Sequence, residues 1–265
     1  MPNPSPHSGP RIQAIANQKG GVGKTTTSIN LGAALAELGR RVLVIDLDPQ
    51  GNASTGLGVP NEARLVTVYD FILGNLSLAE STQKTTVPNL FVIPANTDLS
   101  SADMNLVVNE RRSFLLQDAL ERSSDKAQDY DYILIDCPPS LNILTVNAMV
   151  AARSVIVPLQ CEFYALEGLS QLMLTIREVR QSANPGLRIE GVVLTMFDRR
   201  NNLSQQVEAD ARQNLGELVF KAVIPRNVRL SEAPSHSQSV LDYDTNSAGS
   251  RAYRALAAEL VSRET

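Results

Sequence analysis

Residues Asn17 to Thr27 read Asn-Gln-Lys-Gly-Gly-Val-Gly-Lys-Thr-Thr-Thr, and they leave the chain around them little freedom. An apolar run, Ile12 to Ala16, precedes them, and a segment of helical period, Thr25 to Leu38, follows. A strand, a glycine-rich turn and a helix start in that order form a phosphate cradle. The glycines let backbone N–H groups converge on an anion without Cβ obstruction, and the helix N-terminus adds partial positive charge. In such a cradle Gly20, Gly21, Val22, Gly23, Lys24, Thr25 and Thr26 surround the anion. Lys24 then reaches the β- and γ-phosphates, and the Thr25 hydroxyl goes to Mg²⁺.

The rest of the chain is compatible with one frame. Short β-branched runs alternate with helical segments, the signature of a parallel sheet covered by helices. The strands are expected at Ile12–Ala16, Arg41–Ile45, Leu90–Pro94, Tyr132–Ile135, Ser154–Pro158, Ile189–Thr195 and Val219–Ile224. The helices are expected at Thr25–Leu38, Asn105–Arg122, Leu141–Ala151, Leu166–Ser182, Leu203–Leu215 and Ala248–Ser262. This predicts an α/β single-domain P-loop NTPase: a mostly parallel twisted sheet of about seven or eight strands with helices on both faces. The domain spans 11–265 behind a flexible tail, 1–10. Chain length and a hydrophobic content of 43% with 20% charged residues suit one domain with a substantial core.

Ligands sit at the carboxyl ends of parallel strands, so the residues just after each strand carry the information. Asp46-Leu47-Asp48-Pro49-Gln50-Gly51-Asn52 follows the second strand. Two acids one residue apart point the same way off a strand, towards the phosphate end, although a Pro-Gly turn with capping chemistry uses the same residues. Tyr132-Ile133-Leu134-Ile135-Asp136 is an apolar strand ending in one carboxylate, able to hold Mg²⁺ through water. Glu162 or Glu167 reads as an acid at the start of a long helix, where it complements the dipole.

The glycine loop departs from the strict pattern in one place. Gln18 stands where the first glycine belongs, the glycines shift to Gly20 and Gly21, and Lys19 is added in front. This deviant Walker A loop resembles that of the ParA/MinD family of P-loop ATPases. Thr195-Met196-Phe197-Asp198-Arg199-Arg200-Asn201-Asn202 and Ile224-Pro225-Arg226-Asn227-Val228-Arg229-Leu230-Ser231-Glu232-Ala233-Pro234 match its chromosomal ParA (Soj) branch. The resemblance runs from Ile12 to the end of the chain. It implies that Asp48 orients the attacking water, that Asp46 supports the Mg²⁺ and water shell, and that Pro225, Arg226 and Asn227 lie near the adenine base. It also implies that Arg200 and Arg229 contact DNA, which the lack of interleaved aromatics restricts to phosphates. Taken as solvated surface residues, the same arginines would simply make ordinary ion pairs.

Two lysines in one loop pose a physical question. Lys24 sits inside the cradle, whereas Lys19 precedes the first glycine and points away from its own phosphates. A partner protomer docked face to face could receive Lys19 at its own γ-phosphate. The chain is therefore expected to form a homodimer around ATP and Mg²⁺, with Lys19, Lys24 and Asp48 as catalytic residues. By resemblance the dimer binds double-stranded DNA non-specifically on the nucleoid. A ParB-like centromere-binding partner stimulates hydrolysis and releases it, the outcome being chromosome or plasmid partition.

Other classes compete. A net charge of −4 argues against a protein that coats DNA uniformly. A MinD-like membrane-positioning ATPase needs an amphipathic, lipid-inserting tail. Here Tyr253, Leu256, Ala257, Leu260 and Val261 recur as a core-facing stripe. A DNA-walking relative that positions other cargo uses the same chemistry. An iron–sulfur electron-transfer ATPase needs thiolates at the dimer face, and Cys137 and Cys161 read as packing residues. With no basic-plus-apolar leader and no apolar run near the roughly 20 residues of a membrane span, the protein is expected to be cytoplasmic.

Overall fold

The computed structural model describes residues 9–101, 111–162 and 165–263. Among the described residues, eight strands form one sheet in the order β3-β4-β2-β5-β1-β6-β7-β8. They are β1 (Arg11–Ile15), β2 (Val42–Asp46), β3 (Gln83–Lys84), β4 (Leu90–Ile93), β5 (Tyr132–Asp136), β6 (Ser154–Gln160), β7 (Arg188–Phe197) and β8 (Val219–Pro225). Every pairing is parallel except β3 with β4. Two-residue β3 is the strand that sequence patterning missed, since a period cannot be read from two residues.

All five residues of β2 and of β5 are buried, as expected for strands covered on both faces. On one face Ile15, Val44 and Leu134 pack against α1 (Lys24–Glu37), α2 (Asn52–Gly56), α10 (Val228–Glu232), α11 (Val240–Tyr243) and α12 (Ala248–Ser262). On the other, Ala14, Ile45 and Ile135 pack against α3 (Val68–Leu73), α4 (Leu78–Ser81), α5 (Leu115–Arg122), α6 (Ser124–Ala127), α7 (Ile143–Ala151), α8 (Ala165–Ser182) and α9 (Asn202–Leu215). Tyr253, Leu256, Ala257 and Leu260 of α12 are buried in the first of these cores, as their spacing indicates. The Tyr253 hydroxyl meets Thr27 of α1 at 3.2 Å. Among the described residues, no helix is long and apolar enough to cross a membrane.

Expected boundaries shift by a residue or two, with physical causes. The sequence pattern ends β6 at Pro158, yet the strand runs to Gln160. Pro158 lies on the same side as Ile156, whose carbonyl accepts from Ala16 N–H, and the β1 pairing stops at Ile156. The missing proline N–H therefore falls beyond the end of β1 and costs no ladder bond. The α7 helix starts at Ile143 rather than Leu141 because Asn142 caps it, its Oδ1 accepting from Leu144 and Thr145 N–H. Of the helix expected over Asn105–Arg122, Leu115–Arg122 is helical, 111–114 is turn, and 102–110 lies outside the described residues. The expected tail over 1–10 likewise lies outside them up to residue 8.

At the β8 edge the register slips against β7 between Val192 and Leu194. Lys221 and Ala222 both donate their N–H groups, at 2.9 Å each, to the Glu259 carboxylate of α12. Arg263 donates to the same carboxylate at 2.8 Å and lies over the Phe220 ring. This closes a sheet edge that would otherwise present free donors.

Candidate functional site

Strand register brings the sequence motifs together. Ile15 of β1 and Asp46 of β2 both stand level with Asp136 of β5. The glycine loop after β1, the acidic loop after β2 and the Asp136 carboxyl thus share one end of the sheet. β1 lies where the strand order turns back on itself, the position at which open α/β sheets bind ligands.

The loop itself needs its glycines. Gly21 and Gly23 adopt φ of 73° and 91°, the left-handed region that β-carbons disfavour. Gly23 caps α1 with no side-chain acceptor, and α1 carries no acid in its first turn. The first-turn amides of this helix thus remain available to an anion. Three contacts brace the loop: Asn17 Nδ2 donates to Pro158 O at 2.7 Å, Lys19 N–H to Asn17 Oδ1 at 3.1 Å, and Thr195 Oγ1 to Val22 O at 2.8 Å.

The two lysines have different surroundings. Lys24 is 6% exposed and its Nζ donates to Lys19 O at 2.9 Å. Burial holds its ammonium below the ordinary lysine range, against the opposing pull of Asp136, Cys137 and Asp48. Lys19 lies outside this arrangement and is half-exposed, paired with Glu162 Oε2 at 2.9 Å. Glu162 also accepts from Gln160 Nε2. Its carboxylate therefore bridges Lys19 and Gln160. The Glu167 side chain lies outside the described residues.

Asp136 is fully buried. Its Oδ1 accepts from Ser28 Oγ at 2.8 Å, while Oδ2 is buried without a hydrogen-bond partner. Burial and then the neighbouring Asp46 push its carboxyl well above the usual range, against the pull of the nearby Ser28 and Thr25 hydroxyls. An orphaned carboxylate oxygen beside a threonine hydroxyl suits a hard cation such as Mg²⁺, which typically takes one or two protein ligands plus phosphate oxygens. Among the described residues, no group of three His, Cys, Asp or Glu side chains could hold a metal by itself.

Asp46 and Asp48 differ as well. Asp46 is fully buried; its Oδ2 accepts from Ser54 N–H at 2.8 Å and Ser54 Oγ at 2.6 Å, and its Oδ1 from Asp48 N–H at 3.1 Å. Both oxygens are thus occupied in shaping the acidic loop. Burial raises its carboxyl as well, with the Ser54 hydrogen bonds opposing. Asp48 Oδ1 accepts from Gln50 N–H at 2.9 Å.

Pro225, Arg226 and Arg200 line a cleft of about 1090 Å³ between β7, β8, α9 and α12, together with Asp198 and Arg251. Asn227 caps α10 by accepting from Arg229 N–H at 2.8 Å. Arg200 is bound through two nitrogens to Asp198, holding that carboxyl down at about 2, yet its side chain is 90% exposed. Arg229 pairs with Glu232 at 2.9 Å and Asp244 at 3.3 Å. Both arginines therefore make surface ion pairs, and both remain exposed enough to contact something else. Both cysteines are buried, and burial pushes their thiols up, Cys161 to about 12.

Sequence reasoning missed Ser28 and Arg64, and it named Thr195 at a strand end without its contact to the glycine loop. Ser28 lies one helical turn beyond Lys24, a spacing visible in the sequence. Nothing local marks Arg64 as belonging to this region.

A glycine loop on β1, an uncapped helix behind it and carboxylates at the ends of β2 and β5 define a P-loop nucleoside-triphosphatase. Residues 10–189 match the family model described as "AAA domain". Over 254 residues the chain is 60% identical to "Chromosome partitioning protein ParA" of Caulobacter vibrioides, covering 96% of this chain and 95% of that protein. It is 52% identical to "Sporulation initiation inhibitor protein Soj" of Bacillus subtilis, over 94% and 98% of the two chains. Among solved structures it resembles "Cobyrinic Acid a,c-diamide synthase from Mycobacterium smegmatis with bound ATP analog and Magnesium", with TM-score 0.85, 39% identity, and 97% and 96% of the chains covered. It also resembles the septum site-determining protein MinD of Pyrococcus horikoshii, complexed with Mg-ADP, with TM-score 0.77, 28% identity, and 94% and 95% covered. The chain belongs to the ParA/MinD family of P-loop ATPases, and chromosomal ParA and Soj proteins are among its relatives.

Proposed function

We propose that this ATPase partitions DNA by an ATP-dependent cycle of dimerisation and release. The observation that carries the reading is the contrast between its two loop lysines. Lys24 is buried under the loop, and Lys19 is held outside it by a half-exposed partner. In this reading one lysine serves the protomer's own nucleotide and the other a second copy's.

In this reading the amides of Gly20 to Thr26 and the Lys24 ammonium bind the triphosphate. Thr25 and the Asp136 carboxylate would hold Mg²⁺, which would supply neutralising charge to the phosphate oxygens. Asp46 shapes the loop that carries Asp48, and Asp48 orients the attacking water. Lys19 offsets charge at the partner's γ-phosphate, a contribution worth about 10³–10⁵ in rate for a comparable arginine. Pro225, Arg226 and Asn227 flank the base. Arg200 and Arg229, duplicated by the dimer, contact DNA phosphates without reading sequence. A ParB-type partner that stimulates hydrolysis would end the DNA-bound state, which places the protein on the nucleoid in the cytoplasm.

Size-exclusion of Asp48→Ala, with and without ATP and duplex DNA, tests the cycle. The variant is expected to bind ATP, to stay dimeric and to remain on DNA without turnover. Hydrolysis at the parent rate would remove the water-positioning role.

A further inference from the structure

The acidic loop is held from behind by a charged group that the hydrolytic cycle does not use. Arg64 is 6% exposed. Its Nε and Nη2 donate to Val59 O at 3.1 and 2.8 Å, its Nη1 to Ala95 O at 3.1 Å, and its Nη2 to Thr55 Oγ1 at 2.6 Å. Burial lowers its basicity, and Asp46 and then Glu62 oppose this from a distance. Among the described residues, oxygens of carbonyls and a hydroxyl, not a contacting carboxylate, receive its protons. A buried cation with such partners costs stability that an apolar side chain would not. What it provides is a planar fork joining fixed points.

Those points connect the scaffold to Asp48. Ala95 follows β4, and both its backbone groups are engaged: Ala95 O by Arg64, and Ala95 N–H by Ser54 Oγ at 3.0 Å. Ser54 in turn donates to Asp46, and Asp46 accepts Asp48 N–H. By the second route, Thr55 Oγ1 receives Arg64 and donates to Gly51 O at 3.1 Å, while Gly51 N–H donates to Asp48 O at 2.8 Å. Gly51 is left-handed at φ 63°, and a Cβ there would lie 2.1 Å from Arg64 Nη1 and 2.8 Å from Ala95 O. The guanidinium thus packs against the backbone of the loop itself, at a place only glycine permits.

We propose that Arg64 is a positioning residue for hydrolysis, setting the loop that carries Asp48 against the end of β4. The inference rests on the assignment of Asp48 to the attacking water. Arg64 acts through Thr55, Gly51 and Ala95. Its loss should leave ATP binding intact and impair turnover, because the phosphate cradle lies on a different loop.

Steady-state and binding measurements on Arg64→Gln, Arg64→Lys and Thr55→Val test this, with Asp48→Ala measured alongside. For Arg64→Gln, kcat per nucleotide-binding site should fall about 10- to 100-fold, as for a misplacement of about 1 Å. KM for ATP and Kd for a non-hydrolysable analogue should stay within about twofold, the pattern of a missing transition-state interaction. Arg64→Lys should not rescue, since a point charge cannot span Val59, Thr55 and Ala95. Hydrogen exchange should quicken at the amides of residues 48 and 50–55 and remain unchanged in β1 and β5. Thr55→Val keeps shape and cuts one link of the chain, so it should lower kcat in the same direction even where Arg64→Gln fails to fold. If Asp48→Ala is inactive while Arg64→Gln or Thr55→Val keeps the parent kcat, the positioning role is overturned and the proposed function stands. If Asp48→Ala turns over at the parent rate, both fall.

Discussion

Replacing Lys19 with glutamine separates two energies of different size. In the structure Lys19 and Glu162 meet at 2.9 Å with side chains 41% and 51% exposed. A pair so solvated contributes about 0.2–1 kcal/mol to folding, and salt screens it further. At roughly 2–4 °C per kcal/mol for a domain of this size, Lys19→Gln should lower Tm by no more than about 4 °C. The same small figure is what releasing Lys19 from Glu162 costs. Inside an ATP-bound dimer the arithmetic changes. Removing one partner of a buried, hydrogen-bonded charge pair costs about 2–5 kcal/mol, much of it from stranding the other charge. Two symmetry-related copies make that about 4–10 kcal/mol per dimer. At about 1.4 kcal/mol per decade, the dimer Kd should weaken by about 10³- to 10⁷-fold. Sedimentation velocity with a non-hydrolysable ATP analogue reads the association, and thermal unfolding without nucleotide reads the stability. A variant whose dimer Kd stays within about tenfold of the parent would refute the claim that this lysine serves a second copy.

Glu259→Gln should lower Tm, because the charged acceptor of two backbone amides and Arg263 becomes neutral; partial exposure keeps the loss to about 1–2 kcal/mol. Burial alone would raise the Glu259 carboxyl, but the two amides and Arg263 outweigh burial and hold it below its ordinary value. Its stabilisation is therefore complete above the unfolded carboxyl pKa of about 4.3 and is lost as pH falls through the lower folded value. The parent-minus-variant difference in unfolding free energy should shrink over that window, and a difference constant down to pH 2 would count against the assignment. Arg229→Gln should weaken DNA retention while leaving ATP binding unchanged. It is a cleaner test than charge reversal, because a glutamate at 229 would face Glu232 and Asp244. Its salt slope should fall by about 0.9 for each phosphate that the variant no longer neutralises, and an unchanged slope would remove Arg229 from the DNA face. Gly51→Ala should reduce turnover and destabilise the fold, since the added carbon meets Arg64 and Ala95 in a left-handed backbone; parent-like unfolding and turnover would contradict the packing of Arg64 against this loop.

The buried carboxyls explain why this site is built around cations. Asp46 and Asp136 stand level on adjacent strands, both buried and both with carboxyls raised by that burial. Each makes ionising the other more costly. Lys24 lies close enough for Asp136 to raise its pKa in opposition to burial. A bound Mg²⁺ would favour ionised Asp136 further.

Local chemistry in the sequence was sufficient for the frame. The glycines of the Asn17–Thr27 loop, the apolar strand ending at Asp136 and the acids after β2 each announce themselves within a few neighbours, because backbone conformation and strand burial are short-range constraints. The same holds for the strands other than β3 and for the helices of eight residues or more, whose periods can be read, and for the buried stripe of α12. The shorter helices α2, α3, α4, α6, α10 and α11 were not legible. Two-residue β3 carried no period, and the passage of β6 through Pro158 depended on where a neighbouring strand ends. Tertiary structure alone decided which side chains share an environment. It gave Glu162 to Lys19, Ser28 to Asp136 and Thr195 to the glycine loop. It also buried Arg64, isolated in sequence between Ala63 and Leu65, against the loop that carries Asp48. The first three pairings depend on strand order and register, which bring together residues more than a hundred positions apart. Arg64 instead bonds Thr55 nine positions back and Ala95 31 positions on, through a loop fold that no period announces.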